Sequence, residues 1–148
     1  MKLYIKSAEE ILAMSKNQMK LASDLEDVTR PIVEHLIKLR LYPNTEFVTH
    51  WRSEIASFLC EVPVFKHNKH LPSAEFIVNN TIGVDYMLIR NLISVVISNM
   101  DSLIPAPFDY DELVDDIVRY FKWLATNLSK TGKIARNTIF EMLKNLNF

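Results

Sequence analysis

The sequence predicts an all-α fold, and three observations carry that prediction. Only two glycines, Gly83 and Gly132, occur in 148 residues, whereas folds built of strands and tight turns use glycine often. Apolar residues recur at the spacing of one helical face through most of the chain. The six prolines fall at the ends of those periodic stretches or between them, where the missing N–H does least harm.

The elements follow in order. Ser7 and Glu10 form a capping box that opens a helix from about Ala8 to about Val28. Pro31 suits the first turn of a second helix, which runs to about Leu41 with Ile32, Val33, Leu36, Ile37 and Leu39 as its apolar face. Pro43 ends it. A third helix begins near Asn44 or Thr45, carries Phe47, Val48, Trp51, Ile55, Phe58 and Leu59 on one face, and stops at Pro63. Residues 62–73 are irregular. Asp85 caps a helix from Tyr86 to Ile104 whose apolar residues lie on nearly every side, which predicts the buried centre of the fold. Asp109 and Glu112 form another capping box. The stripe Leu113, Val114, Ile117, Val118, Phe121, Leu124 and Leu128 then marks an amphipathic helix that Gly132 closes. The last helix spans about Ile134 to Leu146. The expectation is an antiparallel bundle of five or six helices around the 86–104 helix, because short connections place neighbouring helices antiparallel. One short two-stranded element, pairing Leu3–Ile5 with Glu75–Asn79, is compatible with the pattern.

Composition bounds the rest. Apolar residues make up 49% and charged residues 24% of the chain, a globular balance, so residues 1–148 read as one domain. The 17 basic and 18 acidic residues give a net charge of -1, without the basic stripe of a nucleic-acid binder. One cysteine, Cys60, rules out an intramolecular disulfide, and no apolar run reaches the ~20 residues of a membrane span. The expected location is the cytoplasm.

Three groups of residues carry candidate chemistry, each with a plainer reading beside it. Cys60, His67 and His70 offer a thiolate and two imidazoles, a ligand set suited to zinc, with Glu61, His35 or His50 available as a fourth ligand. The plainer reading is a small apolar cysteine and two solvated loop histidines. Asp109, Asp111, Glu112, Asp115 and Asp116 crowd one helix start. Two carboxylates on one face serve metal or acid–base chemistry, but acidic residues there also stabilise the helix dipole, by about 0.3–1 kcal/mol each. Arg30 and His35, separated by four residues, form the third group; the plainer reading is a surface arginine and an ordinary helix histidine. Two isolated glycines cannot build a phosphate-binding loop.

Two family resemblances attach to these residues. The spacing of Arg30 and His35 resembles the active motif of the HEPN ribonucleases, which are small helical bundles, and implies metal-independent RNA cleavage by that pair. Here the pair lies early in the chain and Pro31 follows the arginine. Separately, Ile32 to Leu59 resembles a bacterial family of unknown function, the one numbered twenty-nine. His35, Leu36, Ile37 and Lys38, then Pro43, Trp51 and Ile55, carry that likeness. It implies a small helical protein with no catalytic residues assigned.

With no convergent polar constellation, the favoured function is a non-enzymatic interaction or regulatory module. Its expected partner is another protein or a second copy of the chain, not a membrane or nucleic acid, and no cofactor is expected. The alternatives are the ribonuclease using Arg30 and His35 and the metal-binding bundle using Cys60, His67 and His70.

Overall fold

The structure is a computed structural model of the chain and describes residues 16–61, 85–131 and 136–145. The described residues hold five helices: α1 (Lys16–Leu41), α2 (Val48–Glu61), α3 (Tyr86–Asn99), α4 (Tyr110–Thr131) and α5 (Arg136–Lys144). No strand occurs among them. The fold is all-helical there, as expected. Leu3–Ile5, Glu75–Asn79, the Ser7 cap and Gly132 lie outside the described residues.

The first difference from expectation is at Pro31. A boundary between two helices was expected there, yet α1 runs through it unbroken. A proline inside a helix costs about 3 kcal/mol, largely through the lost bond to the carbonyl four residues back. That carbonyl belongs to Asp27, which sits at an exposed position where water can serve it. Burial of Ile32, Val33, Leu36, Ile37 and Leu39 just beyond the proline opposes the cost, at about 1.5–3 kcal/mol for each large apolar side chain enclosed.

Helix α1 ends where Pro43 would next have to donate. Tyr42 makes the last helical bond, to the Lys38 carbonyl at 2.9 Å. The Leu41 carbonyl is taken by the N–H of Ala106, at 2.7 Å, so the Pro105–Pro107 loop is fastened to the end of α1. Two ring contacts then give the direction of α2. Tyr42 meets Trp51 at 6.4 Å and His35 meets Phe58 at 5.3 Å between ring centroids. The chain therefore runs back along α1 as it advances along α2, an antiparallel hairpin. Helices α3 and α4 pair in the same sense: Ser94 reaches Tyr110, and Arg90 reaches Asp111.

One apolar cluster joins all five helices. Helix α1 packs on α2, α3 and α4, and α5 packs on α2. Each helix gives the cluster one periodic stripe. These are Trp51, Ile55 and Leu59 on α2; Ile89, Leu92, Ile93 and Val96 on α3; Leu113, Val114, Ile117, Val118, Phe121 and Leu124 on α4; Ile139 and Leu143 on α5. The α4 stripe is the one the sequence predicts.

The 86–104 helix requires two corrections. It ends at Asn99, because Met100 leaves helical geometry (φ -116°, ψ 42°) and its N–H turns back to the carbonyls of Val96 and Ile97. Nor is it enclosed on all sides. Only Ile89, Leu92, Ile93 and Val96 are buried, while Tyr86, Met87, Leu88 and Val95 are exposed. Counting apolar residues obscured the polar ones. Arg90, Asn91, Ser94 and Ser98 share one helical face, and all four lie in solvent. The N-cap is as expected: Asp85 accepts from the N–H of Leu88 at 3.1 Å.

Candidate functional site

Arg30 and His35 sit on the same helix in different surroundings. The Arg30 side chain is 64% exposed and pairs with Glu34 one turn on, at 3.4 Å. The His35 residue is only 8% exposed and turns toward α2. Its Nδ1 lies 2.7 Å from the Pro31 carbonyl oxygen. A carbonyl only accepts, so that nitrogen carries the proton. Its Nε2 faces Glu54 Oε2 at 3.5 Å, and the other Glu54 oxygen meets His50 Nε2 at 3.2 Å. Burial holds the His35 pKa below its ordinary value; the Pro31 bond and the Glu54 and Glu34 carboxylates oppose this, and Lys38 adds to it. A neutral, buried imidazole wedged edge-on against Phe58 fastens α1 to α2. A phosphate spanning it and Arg30 would have to displace the Arg30–Glu34 pair and open the α1–α2 packing.

Of the expected zinc ligands, Cys60 is half-buried on α2 and packs against the core. His67 and His70 lie outside the described residues. Among the described residues no group of three or more His, Cys, Asp or Glu side chains is arranged to hold a metal ion.

The acidic start of α4 is partly engaged in holding helices together. Arg40 on α1 reaches Asp116 at 3.4 Å, and Arg119 reaches the other Asp116 oxygen at 3.0 Å. Arg90 on α3 donates to Asp111 at 2.9 Å while its guanidinium lies over the Tyr110 ring, 4.9 Å from the centroid.

Beside that last contact lies an open pocket of about 340 Å³, lined by Tyr86, Met87, Arg90, Asp111, Val114 and Asp115. Two of its apolar members, Tyr86 and Met87, are exposed. Met87 is 76% exposed and shares the outward face of α3 with Arg90, Asn91 and Ser94. Leu88 and Val95, two turns apart, leave a further exposed apolar edge on the same helix. Sequence reasoning missed this site because it assigned every apolar residue of the segment to the core. The signal was the spacing of Arg90, Asn91, Ser94 and Ser98, which fixes the solvent side and puts Met87 on it.

The described residues define an all-helical fold with an apolar, acid-rimmed groove between α3 and α4. Comparison of the chain with protein-family models, with curated proteins and with solved structures gives no match. Among the described residues no helix is long and apolar enough to cross a membrane.

Proposed function

We propose that the chain is a non-enzymatic protein-interaction module, a helical bundle acting in the cytoplasm through the outer edge of α3 and its groove against α4. One observation carries this reading: Tyr86 and Met87 at the start of α3 are exposed and line one groove together with Val114 of α4. Single exposed apolar residues are ordinary, but contiguous ones rimmed by polar groups mark binding surfaces. Methionine suits such a surface because its flexible, polarisable side chain adapts to different partners. The partner is another protein or a second copy of this chain. The likeness of Ile32 to Leu59 to the bacterial family of unknown function falls on the α1–α2 hairpin and supports the fold alone. The ribonuclease alternative gains no support from an arginine held by Glu34 and a histidine held inside the hairpin.

The test compares the proteins retained by the tagged full chain with those retained by Met87→Glu and by Asn137→Glu, an exposed control on α5. The reading requires at least one partner that Met87→Glu loses and Asn137→Glu keeps. Identical sets for all three would refute it.

A further inference from the structure

We infer that the α3–α4 groove takes a basic amphipathic segment of a partner protein, with an apolar side chain seated on Tyr86, Met87 and Val114 and lysine or arginine residues at the rim. This rests on the interaction reading above and adds the chemistry of the partner. The groove joins an apolar floor to an acidic rim.

The rim carries Asp111 and Asp115 from α4, with Asp85 exposed at the N-cap of α3 beside Tyr86. Among the described residues the one cation lining the pocket is Arg90; it and Asp111 offset each other, which leaves Asp115 and Asp85 as the uncompensated negative charge. Asp111 holds its Nη1 at 2.9 Å, and the Tyr110 ring lies against the guanidinium. Among the described residues Asp115 has no ion-pair partner, and the Asp111 side chain remains 86% exposed despite its contact with Arg90. An acidic segment would meet these carboxylates with repulsion, which excludes partners as effectively as contacts select them. A wholly polar basic segment would leave Met87 and Tyr86 in water. A segment bearing both an apolar anchor and basic flanks satisfies the floor and the rim together, in the manner of an amphipathic helix laid in a groove. The volume, about 340 Å³, is at the small end for binding pockets and fits one anchoring side chain rather than a long row.

The experiment uses the full chain, isotope-labelled, and follows amide shifts as synthetic amphipathic peptides are added. One peptide is built of leucine and lysine at helical spacing; its counterpart has glutamate for lysine. The lysine peptide should move amides around Tyr86, Met87, Asp111 and Asp115. Its affinity should fall with added salt and drop about tenfold in Asp111→Asn/Asp115→Asn, roughly the effect of losing about 1.4 kcal/mol. Because these carboxylates are exposed, the variant should fold; Met87→Ser, which removes the anchor contact and no charge, is the second probe and should weaken binding too.

Equal or tighter binding of the glutamate peptide at the same amides would overturn the charge assignment and leave the interaction reading standing. Shifts that map elsewhere, or no binding of either peptide, would overturn the inference, while the interaction reading would still be decided by the Met87→Glu comparison. Shifts at these amides that grow with protein concentration and no peptide would name a second copy as the occupant, again against the inference.

Discussion

His35 Nε2 stands 3.5 Å from Glu54 Oε2 with its other ring nitrogen held by the Pro31 carbonyl. With the proton on Nδ1, the neutral ring turns a lone pair toward a carboxylate. Protonation would convert that contact into an ion pair, but burial opposes the charge and prevails, so the folded-state pKa lies below the ordinary histidine value. The unfolded chain then binds more protons than the folded one as pH falls below about 6.5, and stability rises with pH through that range. The melting temperature should therefore drop as the pH is lowered from 7 through the histidine range toward the folded pKa. His35→Gln should flatten that part of the curve relative to the parent chain, while Asn137→Gln, at an exposed site on α5, should leave it in place. An unchanged profile in His35→Gln would show that this imidazole is not buried neutral.

Helix α3 has an inner and an outer line, and the two should respond differently to truncation. Leu92 is enclosed with Ile89, Ile93 and Val96, so Leu92→Ala should cost about 2–5 kcal/mol. Val95 is exposed, and Val95→Ala should cost about 0.5 kcal/mol or less. Chemical denaturation measures both, and equal losses would mean that the outer line is also packed in the folded chain.

Tyr42 is almost fully buried against Trp51, and among the described residues its hydroxyl oxygen has no hydrogen-bond partner. Burial raises its pKa, so the phenol stays neutral. An unbonded buried hydroxyl costs about 1–3 kcal/mol. Tyr42→Phe should accordingly be neutral or stabilising by about 1 kcal/mol. A clear destabilisation on denaturation would reveal a bond to the hydroxyl.

The ion pairs made by α1 should also separate. Among the described residues Arg30 makes only an exposed contact with Glu34, and Arg30→Ala should cost about 0.5 kcal/mol or less. Asp116 receives Arg40 from another helix as well as Arg119, and Asp116→Ala should cost about 1 kcal/mol, less in high salt. Equal effects of the two substitutions at low salt would contradict this ranking.

What the sequence revealed of the fold was whatever periodicity alone decides. The Leu113–Leu124 stripe, the Asp85 cap and the apolar face of Ile32 to Leu39 all appear in place, because spacing and capping are local. The path of the chain through Pro31 was not legible. It depends on an exposed carbonyl at Asp27 and on core packing beyond the proline, and neither is local. The burial of α3 was misread for the opposite reason. There the mark was local: the spacing of Arg90, Asn91, Ser94 and Ser98 fixes the solvent side and puts Met87 on it, and a count of apolar residues passes over it. The groove brings residues 86–90 beside residues 111–115, and that pairing depends on the antiparallel setting of α3 and α4. His50 and Glu54 likewise reach His35 only through the α1–α2 hairpin.

The interaction surface on α3 is tested most directly by placing a photoreactive side chain at Met87 of the full chain in the cells that make it, with Asn137 as the control position, and analysing the adducts by mass spectrometry. The proposed surface requires a discrete protein adduct at Met87, whether another protein or a second copy of the chain, that is absent at Asn137. No adduct at Met87, or the same adducts at both positions, would contradict it.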